Sequence, residues 1–194
     1  QGPGGGPFAF KKCGGSALQL IGANTWSGPT MVDGGTVIVS SINRVTDGKP
    51  ASSLGAPSSL ENGIIALGGN CTLKYTGRGE VTDRILNLTG AQQSVTLDQA
   101  GSGLLKFTSP FDISGYGHSK TLVLMGAGAG ELAGNIRDPY DRKRTAALSL
   151  SKTGTGTWTL SGTNSYTGPT MVTAGTLSLA NARSLSANTE VSIA

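Results

Sequence analysis

The residues best equipped for chemistry lie in one short loop. Within 137–145, Arg137, Asp138, Tyr140, Asp141, Arg142, Lys143 and Arg144 bring cations, carboxylates and a phenol together. Donors, acceptors and an aromatic face in one place suit the binding of an acidic glycan. A plainer role is a solvated loop whose internal ion pairs are worth little. A polysaccharide lyase or hydrolase would need carboxylates, alone or with Lys or Arg, around one groove. The chain holds only 11 acids, no two of them adjacent. The plain loop is therefore favoured over glycan binding, and glycan binding over catalysis.

Other chemistry fares worse. His118 is the single histidine, and no G-x-S-x-G elbow accompanies it, so a Ser-His-Asp triad has no basis. Its neighbours Gly115, Gly117, Ser119 and Lys120 suggest an exposed loop. The run Met125 to Gly130 (MGAGAG) follows an apolar stretch, but a dinucleotide fingerprint needs its third glycine further on and a helix behind it. Glu131 and Ala133 occupy those places, and Gly134 and Pro139 leave no room for the helix; the run reads as a glycine-rich turn. Gly34-Gly35 and Gly68-Gly69 lack the Asp of calcium-binding solenoid repeats. Cys13 and Cys71 have no histidine near them, so no zinc site is expected. They read as two small, half-buried strand residues, with a disulfide as the alternative. No basic stripe with interleaved aromatics points to nucleic acid. The expectation is no cofactor, no metal and no catalytic residue.

Composition decides what must position these residues. Of 194 residues, 31 are Gly, 22 Thr and 21 Ser, whereas 13% are charged and 5% aromatic. Helical bundles and collagen are excluded by the residue types and by the absence of a three-residue glycine period. No apolar run approaches the length of a membrane helix. What fits is an all-β chain with many turns.

The chain also repeats itself. Residues 12–39 (KCGGSALQLIGANTWSGPTMVDGGTVIV) and 152–179 (KTGTGTWTLSGTNSYTGPTMVTAGTLSL) align at identical spacing. GPTMV recurs in register, Asn24 aligns with Asn164, and Trp26 with Tyr166. Each copy reads as short strands of alternating polarity punctuated by Gly and Asn. Between them, strand candidates at 63–67, 71–75, 85–88, 95–98, 104–107 and 121–124 alternate with turns. Loops are expected at 40–60, 109–120 and 137–145. Very short strands, recurrent tight corners and scarce charge favour a β-solenoid over a sandwich or propeller, because like charges would stack in register. Rungs of roughly 20 to 25 residues would give some eight or nine of them.

Residues 148–179 resemble the autotransporter-associated β-strand repeat, also called the passenger-associated transport repeat. Lys152, Gly154, Gly156, Leu160, Gly162, Asn164, Tyr166, Gly168, Thr170, Val172, Gly175 and Leu177 fit its pattern. Trp158 stands in place of the first Leu. The copy at 12–39 departs at Ser16, where a Gly belongs, and at Trp26, where a Tyr does. The resemblance implies a right-handed parallel β-helix exported from a bacterium to the cell surface, in a family of stalks, adhesins and scaffolds. It nominates turn and core residues and no catalytic site.

The sequence thus predicts one continuous β-solenoid over 1–194, read as a piece of a longer chain. Its expected role is non-enzymatic: a structural segment that stacks end to end with itself or with neighbouring solenoid segments. The alternative is an adhesin that grips extracellular glycan or a host or matrix surface through its loops. A polysaccharide-degrading β-helix ranks third. Nucleic acid is not an expected partner.

Overall fold

The protein is seen in a computed structural model, which describes residues 7–48, 51–91, 94–113, 118–141 and 144–194. The described chain is all-β. Strands β1 (Phe10–Lys12) and β2 (Ala17–Leu20) are followed one turn later by β3 (Thr30–Val32) and β4 (Gly35–Val39). Two triplets come next: β5 (Ile65–Leu67), β6 (Cys71–Tyr75) and β7 (Glu80–Thr82), then β8 (Leu86–Leu88), β9 (Ser94–Gln99) and β10 (Leu104–Phe107). The chain continues through β11 (Lys120–Met125), β12 (Ala129–Leu132) and a small hairpin, β13 (Tyr140–Asp141) with β14 (Arg144–Thr145). It ends with β15 (Leu148–Lys152), β16 (Thr157–Leu160), β17 (Thr170–Val172), β18 (Thr176–Leu179) and β19 (Val191–Ile193).

These strands stack into three parallel sheets, and the molecule is a β-solenoid. The first face is β1-β3-β5-β8, the second β2-β4-β6-β9-β11-β15-β17-β19, and the third β7-β10-β12-β16-β18. Every pairing in them is parallel; among the named strands β13 and β14 alone pair antiparallel. Beyond β8 the described residues of the first face continue it without regular strands. Asp112 bridges Asn87 in parallel, Phe111 N–H donates to Asn135 O (3.1 Å), and Ser165 N–H donates to Ile136 O (2.9 Å). Eight strands on the second face make a stack about 34 Å long at the ordinary inter-strand spacing of roughly 4.8 Å.

The core follows from alternation. In β6, Cys71, Leu73 and Tyr75 point inward while Thr72 and Lys74 point out; β11 and β15 repeat the pattern. Because rungs stack in register, inward side chains sit over one another: Leu73, Leu97, Leu124 and Lys152 are successive partners on one row. Outward charges pair across rungs with opposite sign. Lys74 lies opposite Asp98 (3.2 Å), and Lys106 opposite Glu131 (2.8 Å). The few charges present are thus placed where stacking attracts rather than repels.

The glycine-rich turn expected at 125–130 needs correction. Only Gly126 to Gly128 turn, with Gly126 at φ 102°; Met125 closes β11, and Ala129 and Gly130 belong to β12. Gly130 pairs with Trp158 of the next rung, and a Cβ there would lie 2.5 Å from the indole. The glycine is the space into which Trp158 packs, fully buried, its Nε1–H donating to Met125 O (2.9 Å).

The longest expected loop, 40–60, is an excursion fastened to β7 and the turn after it. Glu80 accepts from the amides of Ile42 (2.6 Å) and Asn43 (2.9 Å). Asp83 accepts from Val45 N–H (2.7 Å), Thr46 N–H (3.1 Å) and the Thr46 hydroxyl (2.5 Å). Thr82 donates to Asn43 O (2.8 Å). Arg84, 1% exposed, donates to Leu54 O (3.1 Å) and to Gly63 O. Burial lowers the Arg84 guanidinium to about 10, with Asp83 and Glu80 acting against it.

Candidate functional site

The residues singled out at 137–145 fall on and around the β13–β14 hairpin. Arg137 is exposed, and Tyr140 is 73% exposed. Arg142 and Lys143 lie outside the described residues, and of Asp141 and Arg144 only the strand backbone is described. Asp138 is committed to the scaffold. Its Oδ1 accepts from Leu148 N–H (2.8 Å) and Thr167 N–H (2.9 Å), and its Oδ2 from the Thr167 hydroxyl (2.7 Å). One carboxylate thereby ties the hairpin base to the start of β15 and to the following rung.

The hairpin shares a corner with the loop before β11. Lys120 N–H donates to Ala147 O (3.0 Å), and Ala147 N–H to Ser119 Oγ (3.2 Å). Residues 114–117 of that loop lie outside the described set. The 40–60 excursion leaves elsewhere, from the end of β4, and is held against β7. Two of the three expected loops therefore emerge side by side and the third does not.

Other described carboxylates also serve the frame. Asp33 pairs with Lys11 (2.7 Å), and Asp98 and Glu131 pair with lysines of adjacent rungs. No group of three or more His, Cys, Asp or Glu residues among the described residues could hold a metal ion. Cys13 is free and exposed in a turn, not half-buried in a strand; Cys71 is free and buried in β6. Burial pushes the Cys71 thiol up to about 12, which leaves it a packing residue.

A cavity of about 450 Å³ opens at the N-terminal end of the coil. Phe8, Phe10, Asn24, Thr25 and Trp26 line it. Phe10 and Trp26 stack with ring centroids 4.6 Å apart and planes 20° from parallel. Sequence reasoning did not single this site out, because Phe10 and Trp26 are 16 positions apart and meet only through the coil.

The two sequence copies have the same anatomy. In the first, Lys12 Nζ donates to Cys13 O (3.4 Å), Gly14 O (2.7 Å) and Gly34 O (2.8 Å). In the second, Lys152 Nζ donates to Thr153 O (2.7 Å), Gly154 O (2.8 Å) and Ala174 O (3.0 Å). Each lysine is buried and locks one corner to the corner above it. The aromatic repeats its job too: Trp26 Nε1–H donates to Thr30 Oγ1 (3.1 Å), and the Tyr166 hydroxyl bonds Thr170 Oγ1 (2.8 Å). Asn24 Nδ2 reaches Ser53 O (2.9 Å), and Asn164 Nδ2 reaches Ser184 O (2.5 Å).

The sequence profile of the passenger-associated-transport-repeat family matches residues 11–39 and 150–179. Both copies are passenger-associated transport repeats. Over 145 residues the chain is also 36% identical to the adhesin BmaC autotransporter of Brucella suis biovar 1 (strain 1330). That alignment covers 73% of this chain and 4% of the relative. No solved structure matches the chain. Passenger repeats belong outside the cell, and the chain is an extracellular, cell-surface segment. No helix among the described residues is long and apolar enough to cross a membrane.

The repeat geometry explains the signature residue by residue. Gly14 and Gly154 hold φ of 78° and 71°, Gly35 and Gly175 φ of 67° and 68°, the left-handed values that corners need. Gly168 is required by approach instead: a Cβ there would lie 2.5 Å from Leu148 O. Trp26 in the first transport repeat keeps the aromatic's bond to the threonine four residues on, so its departure from the Tyr pattern is conservative in chemistry.

Proposed function

We propose that this segment is a non-enzymatic scaffold in a bacterial surface passenger, a stiff rod that joins end to end with further solenoid rungs. The observation that carries this reading is the state of the two ends. Leu179 is 45% exposed, Val191 46% and Ile193 79% at one end, and Ile21 75% at the other. Open parallel strands with apolar side chains pair with further strands unless something covers them. The engagement of Asp33, Glu80, Asp83, Asp98, Glu131 and Asp138 in structural bonds supports a non-enzymatic role. Sedimentation velocity over a range of concentrations tests the rod reading. Elongated species that grow with concentration, and shrink with Ile193→Lys, are expected. A monomer at every concentration would overturn it.

A second reading rests on the shared corner. Exposed Arg137 and Tyr140 stand on the hairpin beside the loop before β11, and the Brucella relative is named an adhesin. Glycan binding at this corner would fall with Arg137→Ala plus Tyr140→Ala, measured on immobilised heparin. Unchanged retention would remove this corner as the site.

A further inference from the structure

The cavity at the N-terminal end has a filled counterpart inside the same molecule. Phe8, Phe10, Asn24, Thr25 and Trp26 of the first transport repeat align with Leu148, Leu150, Asn164, Ser165 and Tyr166 of the second. The backbone bonds agree at each place. Gly28 N–H donates to Phe8 O (2.9 Å) as Gly168 N–H does to Leu148 O (3.1 Å), and Phe10 N–H donates to Pro29 O (3.0 Å) as Leu150 N–H does to Pro169 O (2.9 Å). Asn24 N–H reaches Ser52 O (2.8 Å) as Asn164 N–H reaches Arg183 O (3.0 Å). The two repeats are one structure built twice, so what covers the second indicates what the first is shaped to receive.

The second is covered by Ile136 of the preceding rung. Ile136 N–H donates to Asn164 Oδ1 (2.9 Å), and Ile136 O accepts from Ser165 N–H (2.9 Å). Ile136 and Tyr166 are both fully buried. At the first repeat the matching groups, Asn24 Oδ1 and Thr25 N–H, meet no hydrogen-bond partner among the described residues. Trp26 is only half-buried there, where Tyr166 is sealed. An acceptor, a donor and an apolar recess thus stand in the arrangement that Ile136 satisfies.

We infer that the cavity is a socket for a preceding solenoid rung, which inserts one aliphatic residue against Trp26 and exchanges its N–H and C=O with Asn24 Oδ1 and Thr25 N–H. This rests on the rod reading and gives its N-terminal end a partner of stated chemistry. A sugar ring stacked on Phe10 and Trp26 is the competing occupant. The paired backbone groups favour the rung, because Asn164 and Ser165 use the same atoms to hold one.

A chimera tests this. Joining a second copy of residues 118–147 directly to Phe8 reproduces the junction at which 147 meets Leu148. Trp158 is already sealed, so a change in tryptophan emission reports on Trp26. The expected results are a blue shift of emission and at least a tenfold slowing of Thr25 amide exchange. Replacing the grafted isoleucine by Asp in the same chimera is expected to abolish both. Unchanged emission and exchange in the chimera would overturn the socket. A blue shift of the unextended chain on titration with chitotriose or mannotriose would overturn it too, in favour of a sugar. Because the graft is intramolecular, its outcome does not depend on whether separate molecules associate. Sedimentation can fail while the socket stands, and the converse.

Discussion

Single residues in this chain act mostly between rungs. Lys152 offers its ammonium to three carbonyls, two on its own corner and one on the next. Replacing it with Met strips the shared donor from three part-buried carbonyls and should cost about 1.5–3 kcal/mol, a charged-group hydrogen-bond loss, read by chemical denaturation. Tyr166→Phe removes one neutral bond to the buried Thr170 and should cost about 1 kcal/mol in the same measurement. Gly130 and Trp158 make a sharper pair. Gly130→Val sets a side chain where the indole lies and should destabilise by about 1–3 kcal/mol. Trp158→Leu in addition should recover part of that loss, so that the double-mutant cycle shows coupling. The sequence disclosed the signature residues as corner and core types but not these bonds. Glycine at a corner is legible from its type. That a lysine closes two corners, or that a glycine makes room for a tryptophan 28 positions later, depends on the stacking register.

At the scale of elements, the sequence located strands with strong alternation and missed those defined by stacking. β6, β8, β9, β10 and β11 match the apolar runs that announced them. β7 (EVT) and β12 (AGEL) carry one or two apolar residues each, and they are strands because β10 runs between them in register. The fastening of the 40–60 stretch was hidden in the sequence, since the acids that hold it, Glu80 and Asp83, arrive some 40 positions later. Asp83 is the instructive one. Burial pushes its carboxyl up, yet the bonds from the Thr46 hydroxyl and the Val45 and Thr46 amides outweigh this and hold it below its ordinary value of 3.8. A lowered carboxyl stabilises the fold above the ordinary range, and the stabilisation is lost as pH falls through the folded value. Glu80 works in the opposite sense. Its burial outweighs the amide bonds from Asn43 and Ile42, so its folded value is raised and its contribution declines as pH climbs above 4.5. Pepsin should therefore cut the excursion more readily as pH falls from about 4 to 2, and Asp83→Asn should flatten that dependence. An equal slope in wild type and variant would assign the opening to other groups.

For the whole molecule, the two transport repeats do not occupy equivalent faces. The strands of the first alternate between the first and second sheets (β1, β2, β3, β4), and those of the second between the second and third (β15, β16, β17, β18). The same unit is thus turned by one face around the axis. Its bonds survive the shift because every one of them runs within a corner or to the adjacent rung. A molecule built from such neighbour contacts should tolerate loss of a whole rung but not loss of register. Leu97 and Leu124 pair on the second face, so excising residues 97–123 joins Thr96 to Leu124 with inward residues still inward. That shortened chain should keep a cooperative thermal transition and parallel β circular dichroism. Excising residues 97–124 instead puts Met125, an outward residue and the last of β11, in the inward place of Leu97 and pulls the following corner one residue out of step with the rungs beside it. The second deletion removes one residue more than the first, yet it should abolish the cooperative transition. Equal stability of the two deletions would mean that stacking register is not what holds the rod together.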